Sequence, residues 1–484
     1  VVGSAFGPVP EAAFDESAER QYYQRLGIPP LGEKPTDGEY FYSLRLSGEG
    51  VTENEERLAG EFHDLKAPWR GESLPELAMW LERQSKHTDS FVAGSQVTRY
   101  YAPYVMSEQG HIAKLRSLRR LWGAFETSSD KTERLAAGIA SSLFADLDEH
   151  PAPLSRIHVT ESSGQSRQVA RLLSARARLR IGERDLDNAR EDILAIHRIG
   201  RLLSQGMLEE WILGIALDDM ACLLDLELLT FGNLPKEETL QHLKDLDRLP
   251  PLRSAADQID VDDRHVALDA MQYAARRRKE IVQLFNAGQS GIDRQTMKAI
   301  LSIDWNEAMR VLNDKFDKYV AALEEDDFRK ALDAMKGLGS PQRASDDAER
   351  LEQMKVAARG SIEELSQFMG QLYFDKYAHI LPKIERRPQA RREVVRAAYA
   401  AHLFRLQEGI YPTSIDELTP ILVDPVSDRY TGKPLLLKSI EGGIVIYSVG
   451  ENLIDDGGQT YTDGSDKDDI LIRLTEASSE PVKP

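Results

Sequence analysis

The chain has 484 residues, about three times a typical domain, which predicts about two to four domains. Apolar residues make up 41% of it and charged residues 29%, a globular balance that excludes a mostly disordered chain. The net charge of −19, from 80 acidic and 61 basic side chains, argues against general nucleic-acid binding, which needs clustered Lys and Arg at phosphates.

The single cysteine, Cys222, excludes an internal disulfide and a cysteine-based zinc site. No apolar run reaches the roughly 18 residues that a membrane span needs; the densest stretch, 211–217, is far shorter. The chain starts at Val1 rather than Met. Together with the lone cysteine, this predicts an exported protein on the periplasmic or cell-surface side of a membrane, its leader or membrane tether removed.

Residues 1–75 are punctuated by Pro and Gly and read as a loop-rich arm, with one helix over 53–65. Residues 76–385 read as an α-helical domain. Helical spacing begins at 75–81 and continues over 111–147, where Leu115, Leu118, Leu121, Trp122 and Phe125 share one side. Tyr100, Tyr101 and Tyr104 lie between these stretches, and His150-Pro151-Ala152-Pro153 breaks the second. The clearest helical region is 167–249. Leu172, Leu173, Ala177, Leu179 and Ile181 recur at short intervals, Gly182 closes the segment, and Ile193, Ile196 and Ile199 mark the next face. One such hairpin resembles a tetratricopeptide unit. An array needs at least about three, so the expected fold is mainly α, as an irregular helical bundle or a short helical-hairpin array. Leu249-Pro250-Pro251 is a break, and 254–287, 296–337 and 345–380 are again helical, the last ended by Leu381-Pro382.

After Pro388 the pattern changes. A helix over 390–408 is stopped by Gly409 as a C′ residue. Ser414 is placed to cap a short helix through Leu418. Three strands, 434–438, 443–448 and 469–474, follow, rich in Ile, Val, Leu and Tyr and bounded by Gly, Asp and Asn. Residues 386–484 thus read as an α+β module on a helical chain.

The order of these parts carries a resemblance: a helix ending in Gly409-Ile410-Tyr411-Pro412, a short helix at Leu418, the Asp424-Pro425 turn, Gly432-Lys433-Pro434, a strand ending in Ser448-Val449-Gly450, and an acidic loop with Gly457-Gly458 leading into Asp469-Ile470. The module resembles the C-terminal globular domain of type II secretion major pseudopilins. The whole chain resembles large exported bacterial proteins that carry this module. The resemblance implies a helix packed on a small antiparallel sheet, with a calcium ion pinning the last loop. Asn452 occupies the place of an acidic ligand in that pattern, and Asp469 matches the acid before the last strand. The long apolar N-terminal helix of pseudopilins is replaced here by a basic one, with Arg386, Arg387, Arg391, Arg392 and Arg396, so assembly into a pseudopilus by the usual route is not implied.

A cation site also follows from the loop itself. Residues 411–484 hold 14 acids and 6 bases, and six aspartates fall within 451–469. Calcium takes about six to eight oxygens from a flexible loop, with Gly for sharp turns; magnesium wants fewer carboxylates and more water. The candidate ligands are Asn452, Asp455, Asp456, Asp466, Asp468 and Asp469, with Gly457, Gly458 and Gly464 as turns. The Asp-x-Asp-x-Asp-Gly register of an EF-hand is absent.

No His-Glu-x-x-His, Walker A or Gly-x-Ser-x-Gly motif is present. His63, His87, His111, His158, His242 and His379 each stand alone in sequence and read as structural. Asp260-Val261-Asp262-Asp263-Arg264-His265 is the one dense ionisable cluster of the helical region. It reads as a helix N-terminus or as carboxylates for acid–base work. Arg276-Arg277-Arg278-Lys279 reads as a solvated face.

Three functions follow. The first is an exported, non-enzymatic scaffold or interaction protein with a calcium-stabilised pseudopilin-like module. The second is a hydrolase using Asp260, Asp262 and Asp263 in a cleft. The third is a subunit of a fibre or surface assembly. The expected partner is another protein or a second copy of the chain, and not nucleic acid.

Overall fold

The computed structural model describes residues 69–84, 160–264, 301–338, 359–371 and 380–475 apart from single positions, with scattered residues in 88–95, 267–275, 298–299 and 356–357. The expected helices over 53–65 and 111–147, the three tyrosines at 100–104, His265 and the basic run 276–279 lie outside these residues. The described part is mostly helical, with one small antiparallel sheet near its C-terminal end.

Helix α1 (Pro75–Arg83) starts with proline in its first turn and buries Leu77, Trp80 and Leu81. Four helices follow: α2 (Thr160–Glu183), α3 (Leu186–Leu203), α4 (Leu208–Gly232) and α5 (Lys236–Asp247). Gly182 lies inside α2 rather than after it. The left-handed residue is Arg184 (φ 69°), and the Asp185 N–H donates back to the Arg180 carbonyl at 2.9 Å, the closure of a Schellman turn. Helix α4 is apolar around most of its circumference because it is covered on several sides, by α2, α3 and the later helix Leu381–Glu408.

Helices α3 and α4 touch through their backbones. A Cβ on Gly214 would fall 2.4 Å from the Gly200 carbonyl oxygen and from Ser204 N. Gly214→Ala is therefore expected to destabilise the chain by about 1–3 kcal/mol through overpacking, read as a lower urea midpoint with an unchanged m-value.

A second cluster forms beside the first. A helical turn, Ala255–Asp257, runs into a π-helical segment, Gln258–Asp263. Helices α6 (Trp305–Leu323), α7 (Phe328–Leu338) and α8 (Ile362–Gln371) complete it. Asp304 caps α6 by accepting from the N–H groups of Asn306 and Glu307. Trp211, Ile259, Trp305, Phe316, Tyr319 and Met335 are buried together here.

Helix α9 (Leu381–Glu408) departs from the expectation of a break at Leu381-Pro382 and a start at 390. Pro382 opens the helix, where its missing N–H costs nothing, and Pro388 is carried inside it. Gly409 (φ 76°) ends it, its N–H donating to the Arg405 carbonyl. The basic side chains of α9 are its seam with the helical body. Arg391 pairs with Asp219 at 2.6 Å and Arg396 with Asp247 at 3.0 Å, and the Tyr399 hydroxyl donates to the Asp225 carbonyl at 3.0 Å. The expected boundary between Glu385 and Arg386 thus falls within one continuous helix, and α9 shares a single apolar cluster with α2–α5 and the sheet.

The sheet is a meander, β1 (Leu436–Ile440), β2 (Gly443–Ser448) and β3 (Ile470–Thr475), with β2 central. Leu436 pairs with Tyr447, and Ser448 with Ile470. Ile470, Ile472 and Leu474 alternate inward against α9. Before the sheet, Ile415–Leu418 is a 3₁₀ turn, and Ser414 makes no side-chain cap. Among the described residues no helix is long and apolar enough to cross a membrane.

Candidate cation site in the β2–β3 connection and a buried histidine–carboxylate hub

The connection between β2 and β3 folds its acidic residues inward. Gly450 takes a left-handed conformation (φ 72°) that lets Asp468 close over it; a Cβ there would meet Asp468 Oδ1 at 2.6 Å. Asp468 Oδ2 accepts from the N–H groups of Glu451 (2.9 Å) and Asn452 (3.1 Å). Asp469 Oδ2 accepts from Gly458 N–H at 2.8 Å. These bonds fix two carboxylates that are only 4% and 3% exposed, yet the Oδ1 of each is buried without a hydrogen-bond partner. One oxygen each of Asp456, Asp468 and Asp469 lies within 4.8 Å of the others. Burial pushes the Asp468 and Asp469 carboxyls above the ordinary carboxylate range, against the pull of their backbone donors. Hydrogen bonds from Asn452 and Lys467 draw Asp456 the other way.

Of the six candidate ligands, the fold brings these three together. Asn452 acts as a clamp. Its Nδ2 donates to Asp456 Oδ2 (2.9 Å) and to the Asp466 carbonyl (3.1 Å), while its Oδ1 accepts from Ile454 N–H (2.7 Å). Asp455 points elsewhere, accepting from the Tyr447 hydroxyl and Gly457 N–H. The Asp466 side chain is 80% exposed. The donor set is all oxygen and anionic, which fits a hard divalent cation such as calcium rather than a soft metal.

A second constellation lies in the helical body, and sequence patterning passed over most of it. His197 on α3 stands between two carboxylates of α4, with Nδ1 2.7 Å from Asp218 Oδ1 and Nε2 2.8 Å from Asp225 Oδ2. Both ring nitrogens face carboxylate oxygens, and only the imidazolium can donate to both at once. Arg201 Nε donates to the same Asp218 oxygen at 3.1 Å. His242, which stands alone in the sequence, is not alone in the fold: its Nε2 is 2.7 Å from Asp225 Oδ1, and its ring lies 5.0 Å from that of Tyr399. Burial opposes the charge on His197, but Asp218 and Asp225 outweigh it and raise the histidine. In return, despite their burial, Arg201 and His197 hold Asp218 far below the carboxylate range, and His197 lowers Asp225. Cys222 sits beside this hub, its thiol kept protonated by burial and by the neighbouring carboxylates. Asp218, Cys222 and Asp225 fall at i, i+4 and i+7 of the most apolar helix, a polar stripe that was the available signal.

The cluster expected to serve a hydrolase is tied up locally. Asp262 is buried and accepts from Arg253 at 2.6 Å. Asp260 pairs with Arg264 at 2.7 Å, and Asp263 faces the Gln258 amide at 3.5 Å. Arg253 in turn offers its carbonyl to the Trp211 indole N–H at 2.9 Å. These contacts lock the π-helical segment onto α4. Searches against protein-family models, curated proteins and solved structures return no match to this chain.

Proposed function

We propose that the chain is an exported, non-enzymatic scaffold or interaction protein whose pseudopilin-like C-terminal module is stabilised by calcium held at Asp456, Asp468 and Asp469. The observation that carries the reading is the pair of buried, unpartnered Oδ1 atoms of Asp468 and Asp469 beside a third carboxylate. Ionised carboxylates in such a place repel one another and lack solvation, and a divalent cation supplies both missing terms. The helix α9, the three-stranded meander and an acidic loop between its last two strands support the pseudopilin likeness. The scaffold role is supported by the ion pairs of the helical body, which tie His197 to Asp218 and Asp225 and Arg253 to Asp262 inside the packing.

The test is isothermal titration of the chelator-treated full chain with calcium chloride, paired with thermal unfolding. The expected result is one site, with unfolding moved to higher temperature by calcium and returned by a chelator, because a ligand bound only by the folded state stabilises it. No binding heat and an unchanged unfolding curve would sink the proposal.

A further inference from the structure

We propose that Lys467 is a tethered competitor of the cation: its ammonium occupies part of the site and lowers the affinity for calcium. The inference rests on the calcium reading above and concerns how that site is regulated. Asp456 differs from the other two carboxylates in having both oxygens engaged. Its Oδ2 accepts from Asn452 Nδ2 (2.9 Å) and Asp468 N–H (3.3 Å), and its Oδ1 from Lys467 Nζ at 3.0 Å. The Asp456 side chain is 2% exposed and that of Lys467 31%, so the ammonium roofs the carboxylate while the lysine remains open to solvent.

The backbone at Lys467 is fixed, its N–H donating to the Gly464 carbonyl at 3.0 Å, but its four-carbon stem is free to swing. A second carboxylate waits outside: Asp466 Oδ2 lies 3.9 Å from the same Nζ. A divalent cation that takes Asp456 Oδ1 must expel the ammonium, and Asp466 offers it a place to go. With the ammonium gone, the three carboxylates outweigh one divalent ion by a single negative charge, and the displaced ammonium is met by Asp466. Two cations contending for one carboxylate weaken each other's binding equally, by reciprocity.

The experiment is calcium chloride titration calorimetry on three full-length chains: wild type, Lys467→Gln, and Lys433→Gln, which removes the same charge from an exposed turn of the module. Lys467→Gln is expected to bind calcium about 10-fold more tightly, within the usual ~5–150-fold range of coupling between two ligands, and Lys433→Gln to match wild type. A silent wild type with a binding Lys467→Gln overturns the calcium reading of the natural chain. Wild-type binding that Lys467→Gln leaves unchanged or weakens overturns the proposal and leaves the calcium reading standing. Equal tightening by both variants overturns it as a bulk charge effect. Silence of all three overturns the calcium reading and this inference with it.

Discussion

Replacing His197 with alanine is expected to lower the unfolding free energy by about 3–5 kcal/mol, the usual cost of breaking a buried ion pair from one side. The reason is arithmetic of charge in a dry place. With the imidazolium present, Asp218 is met by His197 and Arg201, and Asp225 by His197 and His242. All of these side chains are at most 1% exposed. Without it, the two α4 carboxylates keep the Arg201 pair, the Arg392 charge acting on Asp218 and one hydrogen bond from His242, and a void of imidazole size remains. Urea unfolding measures the loss. A double-mutant cycle with Asp225→Asn separates the pair from the void, and coupling near zero would show that the hub adds nothing beyond packing.

The same hub gives stability a pH dependence of known sign. His197 is raised in the folded chain. Its contribution is therefore full below pH 6.5, the ordinary histidine value, and is lost as pH rises through the higher folded value. Asp218 and Asp225 are lowered, so their contribution is full above the ordinary value of 3.8 and is lost as pH falls toward their depressed values. Wild type should lose stability on the alkaline side of 6.5, and His197→Ala should lack that slope. Unfolding midpoints across this range, at fixed calcium, decide it.

The sequence made some of this legible and hid the rest for physical reasons. Strand β2 and the end of α9 were readable because Gly443 and Gly409 bound them and the apolar residues keep a local period. The start of α9 was not. Leu381-Pro382 has the same composition whether it ends one helix or opens the next, and only packing chose the second. Asp468 and Asp469 were visible as acids, but which of six aspartates converge depends on the left-handed turn at Gly450, a tertiary matter. His197 was hidden because it stands among the isoleucines of α3, where a single polar residue looks incidental until its two partners on α4 are in place.

Asp469→Asn is expected to act in opposite directions with and without calcium, and this separates a cation site from a merely acidic loop. In the chelated protein the buried Asp469 carboxyl is raised by desolvation, so the folded state holds its proton more tightly than the unfolded one. Its ionised form then opposes folding. The penalty grows as pH rises from the ordinary 3.8 through the higher folded value, and persists at neutral pH. Asparagine keeps an oxygen for the Gly458 N–H and removes the charge, so the chelated variant should be as stable as wild type or more so. With calcium at about 100 times its dissociation constant, wild type gains about 2.7 kcal/mol and the variant, short one anionic ligand, gains little of it. Thermal unfolding of both chains in chelator and in calcium gives four midpoints. Crossing of the two pairs supports the site. Parallel pairs, with the variant lower in both buffers, would mean that Asp469 serves the backbone turn at Gly458 and no ion.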